Sequence, residues 1–245
     1  MAKSNGKKIA LITGANKGIG HEVARELARR GCTVLLGARN AALGEAAAAQ
    51  LQSQGLDARF VAVDLGRPAT LAAVARRVGD EFGRLDVLVN NAGIGDPRDA
   101  APSAADIEAV RRIFETNFFG TLAITQAMLP LLRRSPAGRI VNVSSELGSL
   151  TLNSDPQWKY AAYRLLGYSA SKSALNMLTV QLAGELRDTG IKVNAVNPGF
   201  TATDLNHHRG TQTVAEGAAA ALHYALIGDD GASGGFFSAD APLAW

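Results

Sequence analysis

The chain has 245 residues, and its 47% hydrophobic share is ordinary for a globular protein and excludes general disorder. Lys and Arg number 25 against 22 Asp and Glu, and the basic residues form no stripe with interleaved aromatic residues, which argues against nucleic-acid binding. The lone cysteine, Cys32, excludes an internal disulfide and a multi-cysteine metal site. No apolar run has the roughly 18 residues of a membrane helix, and the run after Lys7 and Lys8 is too short for a signal peptide, so we expect a cytoplasmic protein.

Short apolar, β-branched runs alternate with longer alanine-rich stretches at helical spacing. The first half predicts strand Ile9–Ile12, a helix that contains Ile19, Val23 and Leu27 and ends at Gly31, strand Thr33–Gly37, helix Ala41–Gln54, strand Arg59–Val63, helix Ala69–Phe82 and strand Val87–Asn90. The second half predicts a helical region from about Ala104 to Arg134 that is broken in two, strand Ile140–Val143, an irregular stretch over residues 146–167, helix Ser169–Asp188, strand Lys192–Val196, helix Val214–Leu226 and a last strand at Gly235–Ser238.

The strands are apolar throughout, which indicates burial on both faces and therefore a parallel sheet covered by helices. Right-handed crossovers then predict an α/β fold with a doubly wound sheet of the Rossmann type, with helices on both faces. No linker, repeat or low-complexity segment divides the chain. We expect residues 1–245 to form a single domain for dinucleotide binding and catalysis.

A glycine-rich turn, Thr-Gly-Ala-Asn-Lys-Gly-Ile-Gly, covers residues 13–20 between the first strand and its helix. A dinucleotide-binding turn needs glycine for the tight bend, for close approach of a pyrophosphate and for helix packing on the sheet. Gly14, Gly18 and Gly20 can fill these three roles, with the diphosphate at the helix N-terminus. The alternative is a turn that merely joins two elements.

The spacing of this turn resembles that of the short-chain dehydrogenase/reductase family, and the resemblance extends over nearly the whole chain. Asn90-Asn91-Ala92-Gly93 follows the fourth strand as in that family, and Pro198-Gly199 ends the sixth, with Thr203 four residues beyond Gly199. The family's catalytic tetrad is matched in order by Asn117, Ser145, Tyr168 and Lys172. The carbonyl reductases of this family are most similar, through Lys17, residues 85–89 and 116–120, and the end from Gly235 to Trp245.

The resemblance implies reversible, NADPH-dependent reduction of aldehydes or ketones to alcohols, with hydride transfer and a tyrosine as general acid. Two alternatives stay open. One is a reductase of the same family that acts on a carrier-bound 3-oxoacyl chain or another keto substrate. The other is a non-catalytic NADP(H)-binding regulator, although a regulator needs no proton donor. The physiological substrate, the stereochemistry and the physiological direction are left open.

The end of the second strand favours NADP(H) over NAD(H). An NAD site places a carboxylate there for the ribose 2′-hydroxyl, whereas this chain has Ala38 followed by Arg39. Arg39 and Lys17 are suited to a 2′-phosphate, unless they are solvated surface charges. The cofactor residues that we expect from the resemblance are Gly14, Asn16, Lys17, Gly18, Ile19, Gly20, Arg39, Asp64, Leu65, Asn91, Ala92, Gly93, Tyr168, Lys172, Pro198, Gly199, Thr201 and Thr203.

Within this set the resemblance implies particular contacts. Asp64 would contact the adenine amino group; its alternative role is a helix cap or turn residue before Pro68. Thr203 and the backbone near Thr201 would hold the nicotinamide carboxamide and thereby choose the face of the ring.

Tyr168 is the tyrosine with a lysine one helical turn later, Lys172, and an adjacent cation is expected to lower the tyrosine pKa. Tyr160 has Arg164 at the same spacing, but it lies in the irregular stretch and ranks below Tyr168. Ser145 would hydrogen-bond the substrate oxygen, and the family alignment favours it over its neighbour Ser144.

Asn117 interrupts a predicted helix, although asparagine is a poor helix former. The interruption indicates a function or a kink. The resemblance implies that Asn117 holds a water that relays protons to Lys172.

The 22 residues between Ser145 and Tyr168 are about twice the family's usual number. Their apolar side chains predict a wall of the substrate pocket, or else packing on the outside of the following helix that alters subunit association. Glu146 can line the pocket or be a solvated turn residue.

We assign no metal to the adjacent His207 and His208. The expected partner is a small carbonyl or alcohol, with no membrane partner; a dimer, a tetramer and a monomer all remain open.

Overall fold

A seven-stranded, all-parallel sheet forms the centre of the computed structural model, which describes residues 6–239 and 241–245. The strand order is β3-β2-β1-β4-β5-β6-β7, and every neighbouring pair is parallel. This confirms the predicted doubly wound α/β fold. The strands are β1 (Ile9–Thr13), β2 (Thr33–Ala38), β3 (Ala58–Ala62), β4 (Val87–Asn90), β5 (Arg139–Val143), β6 (Lys192–Val196) and β7 (Phe236–Phe237).

Helices cover both faces of the sheet, because residues along each central strand alternate between two apolar cores. In β1, Ala10 and Ile12 pack with α1, α2 and α8, whereas Ile9 and Leu11 face α3, α5 and α7. The helices are α1 (Gly18–Arg29), α2 (Ala41–Gln52), α3 (Pro68–Phe82), α4 (Ile107–Phe114), α5 (Thr121–Leu132), α6 (Leu150–Ser154), α7 (Leu166–Glu185) and α8 (Val214–Ala225). None of those in the described ranges combines the length and the apolar character needed to cross a bilayer.

The predicted helical region over residues 104–134 is indeed two helices, α4 and α5, but they are joined without a loop. Between them Glu115–Gly120 forms a π-helical turn, in which each turn takes up more residues than in an α-helix. The interruption expected at Asn117 is therefore a widened turn within a continuous helical path. Such turns occur frequently at functional sites.

Many element bounds differ from the sequence prediction by one to three residues. Helix α7 begins at Leu166, three residues before the predicted start. Strand β5 begins one residue early, at Arg139, whose guanidinium is fully buried against the carbonyls of Gly138, Gly190 and Ile227. The stretch over residues 146–167 contains a 3-10 turn at Glu146–Gly148 and the short helix α6.

The sheet order by itself indicates where a ligand crevice lies. The chain winds outward in one direction from β1 to β3 and in the other from β4 to β7, so the order reverses between β1 and β4. In open parallel sheets, ligands bind at the carboxyl ends of the strands at such a reversal. The glycine turn follows β1 and the Asn91–Gly93 segment follows β4, so both lie at this point.

Candidate active site

The glycine turn after β1 and the loop after β4 form one hydrogen-bonded unit. Asn91 Nδ2 donates to the carbonyls of Thr13 at 2.9 Å and Gly14 at 3.2 Å. The backbone N–H groups of Asn91 and Ala92 both donate to Thr13 Oγ1 at 3.0 Å. The two chain segments that flank the sheet reversal are therefore held at a fixed separation.

Two glycines of the turn are required by this close approach. Gly14 has φ +64, and a Cβ there would lie 3.0 Å from the Ala92 Cα. At Gly20, in the first turn of α1, a Cβ would lie 2.4 Å from Asn91 Nδ2. The turn therefore has no side chain at these two positions and leads into the N-terminus of α1. This fits a diphosphate, which needs backbone N–H donors and no side chain in its way.

The rest of the expected turn residues have distinct environments. Gly18 has φ +58, a left-handed conformation that favours glycine. Ile19 is partly buried and packs on the core below, and Asn16 is half-buried at the turn. Leu65, beyond β3, is nearly buried, and a Cβ at Gly120 of the π-helical turn would approach its Cβ to 2.5 Å.

The structure exposes both cations that the sequence assigns to a 2′-phosphate. Arg39 is exposed at the end of β2 and makes no ion pair with any residue that the structure describes, and Ala38 before it is buried. Lys17 is also exposed, but its ammonium contacts the Asp204 carboxylate. That contact and a second one from His208 hold the pKa of Asp204 below its usual value.

Asp64 follows β3 and its carboxylate organises a local turn. One oxygen accepts a hydrogen bond from the Gly66 N–H at 3.1 Å, and the other lies 3.4 Å from Arg67 Nε. These contacts match the turn role that the sequence left open. They leave the carboxylate partly exposed, so a contact with an adenine amino group stays a prediction.

The segment after β6 lies across the glycine turn. Gly199 has φ +70, and the buried Thr201 donates its hydroxyl to the Pro198 carbonyl at 2.8 Å. Thr203 Cγ2 lies 3.7 Å from the position of a Cβ on Gly18. The residues expected to hold the carboxamide are thus brought next to the residues expected to hold the diphosphate.

Tyr168 and Lys172 lie on one face of α7, as their spacing predicts. Lys172 Nζ is 5.6 Å from the centroid of the Tyr168 ring and donates to the Val143 carbonyl at 2.8 Å. A Cβ on Gly93 would lie 3.5 Å from this Nζ, so the loop after β4 passes close to the lysine. The two residues therefore stand at the carboxyl end of β5, beside the expected cofactor site.

The pKa values of this pair correct the prediction from sequence. Removal from water raises the pKa of Tyr168 to about 12, and the hydrogen bond with the Ser145 side chain opposes this only in part. Burial also lowers the pKa of Lys172 to about 8. The expected lowering of the tyrosine pKa was wrong, because desolvation of the buried hydroxyl outweighs the opposing hydrogen bond with Ser145.

The two adjacent serines face different surroundings. Ser144 is buried, and its hydroxyl donates to Asn176 Oδ1 at 2.6 Å inside the protein. The Ser145 side chain hydrogen-bonds Tyr168 and also accepts from the Leu147 N–H at 3.2 Å. The structure therefore brings Ser145, and not Ser144, to the tyrosine.

Asn117 lies in the π-helical turn and is fully buried. Its Oδ1 accepts from the Ile94 N–H at 2.8 Å, and its Nδ2 donates to the Ile94 carbonyl and to Ser171 Oγ, each at 3.0 Å. The side chain thus joins the loop after β4 to helix α7. Both polar atoms of the side chain thus have partners in the protein, and the water relay to Lys172 stays a prediction.

Glu146 makes contacts near the site with Lys159 and Asn197, which escaped the sequence analysis. Glu146, half expected as a solvated residue, is buried and forms an ion pair of 3.2 Å with Lys159 of the inserted segment. Asn197 at the end of β6 accepts from the Glu146 N–H at 3.2 Å and donates to its carboxylate at 3.4 Å. No spacing in the sequence relates these three residues, because 51 positions separate Glu146 from Asn197.

An aromatic chain connects the inserted segment to the segment after β6. Trp158 and Tyr163 each make an edge contact with the ring of Tyr160, at 5.4 and 5.6 Å between centroids. Tyr160 in turn contacts Phe200 at 6.3 Å, and Lys159 Nζ lies 4.6 Å above its ring. Tyr160 therefore packs between loops and has no helical partner, unlike Tyr168.

His207 and His208 both have left-handed backbone, with φ 54 and φ 58, after a 3-10 turn at Asp204–Asn206. His208 Nε2 lies 2.7 Å from the Asp204 carboxylate. Among the residues that the structure describes, no three His, Cys, Asp or Glu side chains come together in a group suited to a metal ion.

Comparison with known proteins decides the family. The model of the short chain dehydrogenases matches residues 8–213. The chain belongs to the short-chain dehydrogenase/reductase family. It is 39% identical over 218 residues to short-chain dehydrogenase anuI of Penicillium roqueforti, with 86% of each chain covered. It is 35% identical over 263 residues to carbonyl reductase (NADPH) 3 of Mus musculus, with 93% of this chain and 94% of the relative covered.

Solved structures of the short-chain dehydrogenase/reductase family share the architecture. A protein assigned as a short-chain dehydrogenase from Shigella flexneri 2a, in complex with NADP, superposes with a TM-score of 0.82 at 29% identity, covering 96% of this chain and 97% of that one. The family and the narrower likeness to carbonyl reductases, both predicted from motifs, are thereby confirmed.

Proposed function

We propose that this family member reduces aldehyde or ketone carbonyls with NADPH, reversibly, and that its whole length acts as one domain. The observation that carries the proposal is the meeting of a tyrosine, a serine and a lysine beside a glycine turn shaped for a diphosphate. The cofactor is held by the residues expected from the sequence, from Gly14 to Thr203. The NADPH in the name of the mouse relative and the NADP in the Shigella structure support this choice.

Each catalytic side chain has a role in proton or charge handling. When bound, the reduced nicotinamide supplies a hydride to the carbonyl carbon. As negative charge develops on the carbonyl oxygen, the Ser145 hydroxyl donates a hydrogen bond to it, and the Tyr168 hydroxyl transfers its proton to it. A pKa of about 12 keeps Tyr168 protonated at neutral pH, which suits this direction of transfer. The Lys172 ammonium stabilises the phenolate that remains.

The charges at the end of β2 support a preference for the phosphorylated cofactor. Arg39 is exposed without an ion-pair partner in the described ranges, and Lys17 is exposed on the glycine turn, where it also contacts Asp204. A guanidinium binds phosphate through two hydrogen bonds, and a second cation adds to the attraction. Buried Ala38 offers no carboxylate to a ribose hydroxyl.

The inserted segment is proposed to form an aromatic wall of the substrate pocket. The Lys159–Glu146 ion pair attaches the segment to the residue next to Ser145, and the contact of Tyr160 with Phe200 attaches it to the segment that is expected to hold the nicotinamide. A wall fixed at both catalytic segments favours bulky, apolar carbonyl compounds, which gain most from burial against aromatic rings.

Trp158→Ala should lower kcat/KM for bulky carbonyl compounds by about tenfold more than for small ones, while NADPH affinity stays unchanged. The reason is that the indole packs on Tyr160 of the inserted segment, whereas the cofactor is proposed to be held by other segments. The measurement is kcat/KM on a series of carbonyls of increasing size. Leu150→Ala is the matched control, because Leu150 lies in the same segment but is 72% exposed. A uniform loss on all substrates, or a change confined to subunit association in light scattering, would favour packing outside the pocket.

The proposed function is tested by NADPH oxidation with a panel of aldehydes, cyclic and aromatic ketones, and a 3-oxoacyl thioester. We expect turnover with free carbonyls and little with the thioester. Preferred turnover of the thioester would favour the carrier-bound alternative. Tight NADPH binding with no turnover on any carbonyl would favour a regulatory protein.

A further inference from the structure

Helix α7 begins without a capping side chain from its own flanking residue. The first N–H groups of a helix have no partner within it, so they must be satisfied from elsewhere. Here the Leu166 N–H donates to the Ala100 carbonyl at 3.1 Å. The Gly167 and Tyr168 N–H groups donate to the two carboxylate oxygens of Asp99, each at 2.8 Å. The start of α7 is therefore capped by a loop 68 and 69 positions earlier in the chain.

Asp99 is placed to make this cap strong. The residue is 8% exposed, and each of its oxygens serves one N–H group. A carboxylate at a helix N-terminus gains from the helix dipole and from charge-assisted hydrogen bonds. The neighbouring Arg98 does not compete for it, because Arg98 pairs with Asp96 and Asp106.

Gly167 permits the approach of this carboxylate. A Cβ there would lie 3.2 Å from Asp99 Oδ1, 3.0 Å from Ile113 Cδ1 and 3.2 Å from the Val110 Cα. These contacts are tighter than those of ordinary Cβ atoms, so a larger residue would push α7 away from Asp99 and from α4. The packing of α7 on α4 and the capping of α7 by Asp99 therefore both require glycine at position 167.

The backbone of Tyr168 is held from both sides. Its N–H donates to Asp99, and its carbonyl accepts from Ser171 Oγ at 2.7 Å. Ser171 Oγ also accepts from Asn117 Nδ2. The peptide groups of Tyr168 are therefore held by Asp99 of the loop after β4 and, through Ser171, by Asn117 of the π-helical turn.

We propose that Asp99 is a positioning residue that fixes the peptide of Tyr168, and hence its hydroxyl, relative to Ser145. The inference rests on the proposed function insofar as Tyr168 is the general acid. Proton transfer requires the donor within hydrogen-bond reach of the reacting oxygen, and a displacement of about 1 Å can cost a factor of about 10² in rate.

Asp99→Ala should lower kcat by about 10²-fold, leave KM and the dissociation constant of NADPH within about twofold of wild type, and speed hydrogen exchange of the Gly167 and Tyr168 amides. Asp99→Asn keeps one acceptor oxygen and should recover a large part of kcat. The control is Thr213→Ala, which removes the cap of α8, where Thr213 Oγ1 accepts from the Glu216 N–H. Thr213→Ala should lower Tm by about 2–4 °C, as expected for the loss of one helix cap, but should not lower kcat.

Gly167→Ala is a second variant in case Asp99→Ala does not fold, and it should reproduce the loss of kcat and the faster exchange. The proposal is overturned if Asp99→Ala loses no more kcat than Thr213→Ala, or if exchange of the Tyr168 amide is unchanged. The exchange measurement needs no substrate. A chain without carbonyl turnover would therefore refute the proposed function while leaving the capping role to be judged by exchange.

Discussion

Tyr168→Phe should lower carbonyl turnover by at least about 10²-fold and leave NADPH binding nearly intact, because it removes the proposed general acid. Phenylalanine keeps the ring beside Lys172 but has no hydroxyl to hydrogen-bond Ser145 or to protonate the substrate oxygen. The measurement is single-turnover reduction together with fluorescence titration of NADPH.

Tyr160→Phe is the matched control for this variant. Tyr160 has an arginine at the same spacing in sequence, but the structure places it among aromatic rings between two loops. It should keep most of the turnover. Equal turnover in wild type and Tyr168→Phe, or a larger loss in Tyr160→Phe, would refute the role given to Tyr168.

Ala38→Asp combined with Arg39→Ala should change the ratio of NADPH to NADH dissociation constants by about 10²-fold in favour of NADH. The double change removes a guanidinium from the 2′-phosphate and offers a carboxylate to the 2′-hydroxyl, and hydrogen bonds to charged groups are each worth roughly 1.5–3 kcal/mol. In wild type the preference for NADPH should shrink as salt rises, because Lys17 and Arg39 are exposed and screened.

Arg29→Ala serves as the control for charge alone. Arg29 is also exposed, but it lies at the far end of α1 and pairs with Glu26. The change should leave the cofactor ratio as it is in wild type. A wild-type chain that binds NADH as tightly as NADPH would contradict the assignment of both cations.

The fold and the central motifs were predictable because they depend on local sequence. The apolar strands, the glycine turn and the Tyr168–Lys172 spacing each act over a few residues, and parallel strands bring their carboxyl ends to one edge. The long-range polar contacts that hold the site together were not predictable. Asp99 reaches α7 across 68 positions, so no spacing predicts that pairing.

The pKa values were also beyond the sequence. Spacing places Lys172 one turn from Tyr168, but the sign of the tyrosine shift depends on how much water reaches the two groups. Likewise Arg139 lies outside the predicted strand Ile140–Val143, and only the structure shows the carbonyls that satisfy its buried guanidinium.

The π-helical turn at Glu115–Gly120 carries a consequence for how this chain tolerates deletions. A widened turn contains one residue more than a regular helix requires, so loss of one residue there would let α4 and α5 run on as an unbroken α-helix. The straightened helix would be locally more regular, but it would rotate Asn117 away from Ile94 and Ser171. The deletion would therefore make the helix more regular but would remove the hydrogen bonds by which Asn117 joins the loop after β4 to α7, so we expect it to lower activity.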